Sequence, residues 1–364
     1  MIDTQKSDFR PDWVSPPGET IHDLLEERGW TQREFAKRIG YTPKHVGQLL
    51  SGKAPISDET AIRLERVLGS TASFWLTRDA QYQEAIARSA DVANLAKEAG
   101  WLDEIPLKQM IKFGWVEKMS NPGEQMSACL KYFGVASVSS WRDQYERPLA
   151  AFKKSEKFSQ SYGAVAAWLR SCELAGSMIE TKPFDRAGFS EALHEARSLT
   201  KESDPSKFVP SLIDLCASVG VAVALCPAPS GCPATGATRW EKPDRALLML
   251  SLRHKANDHL WFAFFHEAAH LLLHGKKLLF IEGTDVMSPD NEREADQFAA
   301  DILIPPEAAS TLPFLPKTRA AVSEFAKSIG IAPGIVVGRM QSEGLLRWNS
   351  ALNKLKVRYR WNHD

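Results

Sequence analysis

Residues 261–270, Trp-Phe-Ala-Phe-Phe-His-Glu-Ala-Ala-His, decide how the second half of the chain folds. The stretches 260–265 and 271–273 are strongly apolar, which predicts a buried α-helix. Residues four apart on a helix lie one turn along its axis, a rise of about 6 Å, and only ~40° around it. The imidazoles of His266 and His270 can therefore point at a single ion.

Glu267 directly follows His266 and lies roughly 100° further around the same helix. Its carboxylate would lie beside the open side of the ion, where it could take a proton from a water whose pKa the metal has lowered toward about 7. The spacing predicts a hydrolase that uses Zn²⁺, with His266 and His270 as ligands and Glu267 as the catalytic base. The alternative is a core helix whose histidines hydrogen-bond each other or nearby carbonyls, but a buried His-Glu-His cluster needs compensating partners.

A second helix is predicted from Asp290 or Asn291, as the N-cap, to the proline pair at 305–306. Its apolar positions follow the rhythm of a core-facing stripe: Ala295, Phe298, Ala299, Ile302 and Leu303. A carboxylate near its start could complete a zinc site of two histidines and one glutamate. Spacing alone leaves Glu292 and Glu294 open as that ligand, and acidic residues are in any case favoured in a first turn by the helix dipole.

The run 258–274, followed by Glu-Arg-Glu-Ala-Asp-Gln-Phe-Ala-Ala-Asp-Ile-Leu-Ile-Pro at 292–305, resembles the ImmA/IrrE metallopeptidase family. The resemblance covers roughly residues 208–340 and implies a zincin-like domain that binds Zn²⁺. In that family the Glu directly before Ala in the second motif is the third ligand, which implies Glu294. Ala268-Ala269 departs from the family, where many relatives carry a bulkier residue and a Gly, and we interpret this as a packing variation.

Short apolar runs before the metal helix predict strands at 219–225, 245–251 and, between them, 234–240. With the helix they form a small α+β layer, whose edge strand could bind a peptide by strand addition. His274 is too distant from His266 to share the ion, so we expect it to hydrogen-bond around the site or to cap the helix. Residues 323–341 predict two more helices. The basic residues of the C-terminal tail could contact DNA phosphates, but a solvated segment is the favoured interpretation: Arg347, Lys354, Lys356, Arg358 and Arg360.

Residues 18–82 predict a bundle of five short helices, separated by turns that are typical of a helix-turn-helix. Thr31 and Glu34 have the spacing of a capping box at a helix start, and Gly40 closes that helix. Thr42-Pro43 then starts another helix, with Thr as the N-cap and Pro in the first helical position. The predicted buried faces are Phe35, Ala36 and Ile39 on the first helix and Val46, Leu49 and Leu50 on the second.

The charge of this region differs from that of the whole chain. The chain has 45 basic and 45 acidic residues, so no overall basicity attracts it to nucleic acid. Between Arg28 and Lys53, however, six basic residues stand against one acidic residue. A solvated bundle face would explain the charge alone, but the capping pattern and the short glycine turn favour a helix presented to a DNA major groove.

This stretch is similar to the Cro/C1-type (XRE) helix-turn-helix, and specifically to HigA-type antitoxins. The matching pieces are Pro17 to Glu19, Trp30 to Ala36, Leu49 to Ile56, Ala61 to Leu64 and Leu68 to Leu76. The resemblance implies that the helix from Thr42 to Leu50 is the recognition helix. The implied DNA contacts are Thr31, Gln32 and Arg33 at phosphates, with Thr42, Lys44, His45 and Gln48 on the recognition helix. It also implies a homodimer on a palindromic double-stranded DNA operator, with a cognate toxin or repressor as protein partner.

A chain of 364 residues is long enough for two or three domains. We predict a helix-turn-helix DNA-binding domain over 1–87, a helical connector over 88–207 and a zinc peptidase domain over 208–364. The fold class is mainly α, with an α+β C-terminal part. No stretch approaches the ~18 apolar residues of a membrane span, and the N-terminus lacks the apolar core of a signal peptide. Five cysteines, an odd number, favour reduced thiols, so we expect a cytoplasmic protein.

Together these features predict an antitoxin-like DNA-binding autorepressor that carries a zinc-dependent endopeptidase. The peptidase would hydrolyse a peptide bond in a partner or regulatory protein. The alternative is a non-proteolytic antitoxin or repressor whose peptidase fold is a sensing or protein-binding module. The intact His-Glu-x-x-His favours the enzyme, since a purely structural domain has no need of Glu267. The antitoxin-like head favours the alternative, because such heads act by stoichiometric binding.

Overall fold

The computed structural model describes residues 15–147, 162–275, 280–281 and 289–361. Within these ranges the chain forms two compact units. The first contains the described residues up to Ala99 together with Asn121–Met126, and the second contains Gly100–Ser120 and the described residues from Ser127 onward. The extreme N-terminus, on which the expectation about a signal peptide depends, lies outside the described residues.

The first unit is a helical bundle built around one hydrophobic core. Its helices are α1 (Pro17–Glu27), α2 (Gln32–Ile39), α3 (Pro43–Leu50), α4 (Asp58–Leu68) and α5 (Ala72–Leu95). The predicted buried positions on α2 and α3 lie in this core, except that Leu50 is half-buried against it. The prediction of short helices throughout is wrong for α5, which runs for 24 residues because no Gly or Pro interrupts it.

Side-chain caps specify the turn between α2 and α3. The Thr31 hydroxyl accepts the backbone N–H of Glu34 at 3.2 Å, and Thr42 accepts that of His45 at the same distance. Gly40 ends α2 in the left-handed region, with φ 74°. These local bonds satisfy amides that a helix start leaves without intrahelical partners. The N-caps predicted at Thr31 and Thr42 are therefore confirmed, whereas the Glu34 carboxylate accepts from Arg38.

The second unit begins with helices that precede its sheet. They are α6 (Leu107–Lys112), α7 (Pro122–Phe133), α8 (Val138–Trp141) with a following π-helical segment (Arg142–Glu146), α9 (Tyr162–Ser177), α10 (Arg186–Leu199) and α11 (Pro205–Ala217). The first residues of α7 belong to the first unit. Trp101, Phe133 and Trp141 stack edge to face in this part of the second unit, with ring centroids 5.4–6.0 Å apart.

A four-stranded sheet follows, with strand order β1-β3-β2-β4. Its strands are β1 (Val221–Leu225), β2 (Gly236–Lys242), β3 (Arg245–Leu250) and β4 (Phe280–Ile281). β1 is parallel to β3, whereas β2 is antiparallel to both β3 and β4. The predicted strand at 234–240 thus forms as β2, shifted two residues toward the C-terminus, and it is an inner strand of the sheet.

The remaining helices of the second unit pack on the sheet and on each other. They are α12 (Asn257–Leu273), α13 (Pro289–Leu303), α14 (Pro306–Ala309), α15 (Arg319–Ile329) and α16 (Pro333–Ser342). The predicted N-cap at Asp290 or Asn291 is wrong, since α13 already includes Pro289, a residue suited to a first turn. Its predicted end before the proline pair is confirmed.

The core of the second unit centres on α12 and also includes residues from α10 and α11. Phe189, Leu193 and Phe208 are buried in the same cluster as Trp261 and Phe264. The unit therefore extends N-terminal of residue 208. The domain limits at 87 and 207 remain predictions, but the helices just before 208 are not packed as a separate connector.

The C-terminal tail is partly buried, which corrects the prediction of a solvated segment at Lys356, whereas the other four basic residues are exposed. Lys356 and Asp258 form an ion pair of 2.5 Å, and their side chains are 6% and 7% exposed. Asn257 and Val357 exchange two hydrogen bonds, from the Asn257 amide to the Val357 carbonyl and from the Val357 amide to the Asn257 side chain. The tail therefore fixes the first turn of α12.

Within the described residues, no single helix has the length and apolar composition that crossing a membrane requires. The bent pair α15 and α16, which meet at 107°, meets those two criteria only when the helices are taken together.

Gly18 packs against α3 so closely that a side chain there has no room. A Cβ on Gly18 would overlap the backbone carbonyl of Leu50, so we expect Gly18→Ala to lower the free energy of unfolding by about 1–3 kcal/mol. Urea unfolding of the full chain, followed by circular dichroism, measures the change. Gly47→Ala is the matched control, because nothing lies within 4 Å of its Cβ position. It should raise stability by up to ~1 kcal/mol through helix propensity, and equal effects of the two variants would contradict the packing explanation.

Candidate metal centre and DNA-binding surface

The three side chains of the His-Glu-x-x-His motif are deeply buried in the middle of α12. His266 is 2% exposed, Glu267 0% and His270 1%. Apolar residues such as Trp261 and Phe264 surround this part of the helix. Burying polar groups in such surroundings destabilises the fold unless other groups hydrogen-bond to them or neutralise them.

Two histidine nitrogens and one carboxylate converge at a single point. The Nε2 atoms of His266 and His270 are 3.0 Å apart. Glu292 on α13 brings Oε2 to 3.4 Å from the first nitrogen and Oε1 to 3.7 Å from the second. These three residues are the candidate metal-binding group within the described part of the chain, with one donor atom from each lying within 4.8 Å of the others. This donor set is one that zinc prefers, and it leaves room for a further ligand.

Glu294, the ligand that the family resemblance implied, lies elsewhere. Its Oε2 is 3.2 Å from Nε2 of His274, and its side chain is 59% exposed. Glu292 and Asp296, four residues apart, share one face of α13, whereas Glu294 is rotated about 200° from Glu292. The structure therefore brings Glu292, and not Glu294, to the two histidines.

Asp296 holds the ring of His266 from the side away from the candidate metal point. Its Oδ1 is 2.9 Å from Nδ1 of His266. On the other histidine, Nδ1 of His270 is 2.8 Å from Nδ1 of His274. His274 is also the C-cap residue of α12, with its amide donating to the His270 carbonyl. Both roles that the sequence left open for His274 are therefore present.

Glu267 lies against β2, at a position where the strand has a glycine. A Cβ on Gly236 would lie 2.6 Å from both Cγ and Oε1 of Glu267. Gly236 therefore leaves the space that the buried carboxylate occupies. Gly236 and Asp296 were not predicted from the sequence, because only the fold decides which residue of β2 faces Glu267 and which side of α13 meets α12.

Burial, together with the neighbouring His266 and His274, lowers the pKa of His270 to about 3. His270 is therefore neutral at neutral pH. A neutral imidazole is the form that donates a lone pair to a metal ion.

A cavity of about 630 Å³ lies between α12, α13 and α16. Its wall combines apolar side chains, including Phe262 and Ile335, with charged ones, including Asp296 and Arg339. Asp296 also contacts His266, so this side chain joins the wall of the cavity to the candidate metal centre.

In the first unit, the predicted DNA contacts lie on the solvent-facing sides of α2 and α3. Most are exposed, namely Thr31, Gln32, Arg33, Thr42, Lys44 and Gln48. His45 is half-buried, because its ring packs edge to face on Tyr41 with centroids 4.5 Å apart. The side chains thus share a surface that a DNA duplex could contact.

Two of the six basic residues in this region have structural partners. Arg28 donates to the carbonyls of Val67 and Leu68 at the end of α4. Arg38 pairs with Glu34 at 2.8 Å and stacks over the Trp30 ring at 4.1 Å. The local excess of positive charge on the sequence therefore overstates the charge that is available to phosphates.

Comparison with known proteins places both regions in families. The helix-turn-helix model matches residues 21–75, and the IrrE N-terminal-like domain model of peptidase M78 matches residues 223–337. The chain is also 35% identical over 82 residues to the HTH-type transcriptional regulator YddM of Escherichia coli (strain K12), an alignment that covers 22% of this chain and 87% of that protein. The chain belongs to the HTH-type transcriptional regulators.

The regulator carries an XRE-type helix-turn-helix at its N-terminus and an IrrE/ImmA-like peptidase domain in its second half. The mainly α fold with a small sheet in the C-terminal part is therefore confirmed. Likeness to HigA-type antitoxins remains a prediction.

The buried His270 should make the stability of the metal-free regulator depend on pH. Its folded pKa of about 3 is below the unfolded value, so the unfolded chain binds more protons between these values. The free energy of unfolding should fall as the pH drops below ~6.5, by up to about 1.4 kcal/mol per pH unit for this group. Chemical unfolding of chelator-treated wild type and His270→Gln across this range measures the difference. A constant difference between the two proteins would contradict the expectation.

Proposed function

We propose that this protein is an antitoxin-like, DNA-binding autorepressor that carries a zinc-dependent endopeptidase. It would bind a palindromic operator as a homodimer in the cytoplasm and hydrolyse a peptide bond in a partner or regulatory protein, such as a cognate toxin or another repressor. The observation that carries the enzymatic part is the convergence of His266, His270 and Glu292 beside the buried Glu267.

His266, His270 and Glu292 would hold Zn²⁺, with Glu292 in the place first implied for Glu294. A bound zinc ion would supply a Lewis acid that polarises a peptide carbonyl and makes water acidic near neutral pH. The Glu267 carboxylate would accept the proton of the attacking water and pass it to the leaving amine. The space at Gly236 allows that carboxylate to stay beside the histidines.

The DNA-binding part rests on α3, whose exposed face carries Lys44 and Gln48. Both side chains can donate hydrogen bonds to base edges in a major groove. Thr31, Gln32 and Arg33 at the start of α2 would contact phosphates, because a helix N-terminus attracts anions. Thr42 and His45 would contact the duplex from the first turn of α3.

One observation favours a non-proteolytic alternative, in which the peptidase fold is a sensing or protein-binding module. The cavity beside α12 has room for a small molecule or a peptide side chain. Its wall includes Asp296, the partner of His266. An occupant of the cavity could therefore affect the centre without being cleaved.

The recognition-helix assignment is tested with duplexes selected from random DNA by the full-length protein. Lys44→Ala combined with Gln48→Ala should abolish the preference for the selected duplex over a scrambled one, because it removes base-edge donors. Arg66→Ala is the control, since it removes one exposed positive charge from α4 in the same bundle. Gel-shift titration provides the comparison. Unchanged sequence discrimination in the double variant would refute the assignment.

The metal site is tested by plasma mass spectrometry on purified variants. About one zinc per chain is expected in the wild type and in Glu267→Gln, because Glu267 is proposed as the base rather than as a ligand. His266→Ala, His270→Ala and Glu292→Ala should lose zinc, whereas Glu294→Ala should retain it. Loss of zinc in Glu294→Ala with retention in Glu292→Ala would restore the original assignment.

Peptidase activity is tested separately, with a library of internally quenched fluorescent peptides. Zinc-loaded wild type should cleave members of the library, and zinc-loaded Glu267→Gln should cleave them at least about 100-fold more slowly. A wild type that binds zinc but cleaves nothing would favour the sensing alternative.

A further inference from the structure

A line of hydrogen-bonding groups leads from the protein surface to the candidate metal point. It starts at the exposed Glu294 carboxylate, whose Oε2 lies 3.2 Å from Nε2 of His274. The His274 ring, with its side chain 3% exposed, then places Nδ1 at 2.8 Å from Nδ1 of His270. Nε2 of His270 completes the line at the point shared with His266 and Glu292.

The proton positions along this line follow from donor and acceptor chemistry. An ionised Glu294 only accepts hydrogen bonds, so Nε2 of His274 must be the protonated nitrogen. In a neutral His274 ring, Nδ1 is then an acceptor, and the proton between the two rings belongs to Nδ1 of His270. Nε2 of His270 is left with its lone pair directed at the metal point.

Asp296 fixes the tautomer of His266 in the same way. It does so through one hydrogen bond, whereas Glu294 acts on His270 through two. Because its carboxylate accepts from Nδ1 of His266 at 2.9 Å, Nε2 of His266 also keeps a lone pair. Both rings are thus held in the tautomer that a metal requires, each by a carboxylate of α13. Hydrogen bonds of this kind orient ligating histidines and raise their basicity.

We propose that His274 and Glu294 form a positioning pair for the zinc ligand His270. Glu294 fixes the tautomer of His274, and His274 in turn fixes the tautomer and ring orientation of His270. This inference rests on the proposed zinc site and adds residues to it. It gives Glu294 a role outside the ligand set, although Glu294 is only two residues from the ligand Glu292.

The central experiment measures zinc affinity of the full-length protein by competition with a chromophoric chelator. His274→Phe removes the acceptor for His270 but retains an aromatic ring, so it should weaken zinc binding by about 10–100-fold. His274→Asn is the matched rescue, because the side-chain oxygen of Asn can replace Nδ1 as acceptor, and it should restore most of the affinity. If His274→Asn binds zinc as weakly as His274→Phe, ring packing and not hydrogen bonding is responsible, which overturns the proposal.

Glu294 is tested in two backgrounds. In the wild type, Glu294→Ala should weaken zinc binding less than His274→Phe, since His274 can still adopt the required tautomer part of the time. In the His274→Phe background, Glu294→Ala should have no effect, because its connection to His270 is already broken. Equal losses in both backgrounds would show that Glu294 acts by another route.

The absorption spectrum of the cobalt-substituted protein distinguishes failure of this inference from failure of the zinc site. Glu294→Ala and His274→Asn should retain the wild-type cobalt bands, whereas Glu292→Ala should change them because it removes a ligand. A Glu294→Ala spectrum that changes as the Glu292→Ala spectrum does would make Glu294 a ligand and overturn the positioning role. A wild type without zinc or cobalt binding would refute the metal centre itself, whereas wild-type affinity in His274→Phe would refute only the positioning pair.

Discussion

The burial of two imidazoles and a carboxylate in the middle of an apolar helix is the constraint on which the second unit depends. His266, Glu267 and His270 are almost inaccessible to solvent, and polar groups in that position destabilise a fold unless other groups compensate them. Carboxylates of α13 compensate the histidines. Gly236 on β2 leaves the volume that Glu267 fills. The residues that form the candidate centre are therefore also residues on which the packing of this unit depends.

Contacts at both ends of α12 hold this helix in place, which keeps its histidines at a fixed depth. At the N-terminal end, the buried Lys356–Asp258 ion pair and the Asn257–Val357 hydrogen bonds attach the C-terminal tail to its first turn. At the C-terminal end, His274 both caps the helix and contacts His270. A buried ion pair contributes little net stability but fixes geometry, because breaking it leaves an uncompensated charge. A candidate site that depends on atoms 3–4 Å apart benefits from this rigidity.

In the first unit, short-range features of the sequence account for most of the structure. Thr31 and Thr42 cap the two helices of the motif, and Gly40 supplies the left-handed residue between them. The core-facing stripe of α2 and α3 follows helical periodicity, which leaves the opposite faces to solvent. Longer-range contacts then determine which charged side chains the surface presents. Arg28 and Arg38 are used within the bundle, so charge counted along the sequence is not the charge offered to DNA.

The sequence by itself determined the features that depend on short spacing. These were the helix-turn-helix with its N-caps, the buried helix α12 with its two histidines, the strands β1, β2 and β3 and the family of each region. The tertiary structure alone decided which carboxylate reaches those histidines, because Glu292 and Glu294 are two residues apart on α13 and only the packing of α13 on α12 selects a face. It also decided the roles of Asp296, Gly236 and Lys356, which lie 30, 31 and 98 residues along the chain from their respective partners His266, Glu267 and Asp258. Helical periodicity acts over a few residues, whereas burial of a polar group draws partners from anywhere in the chain.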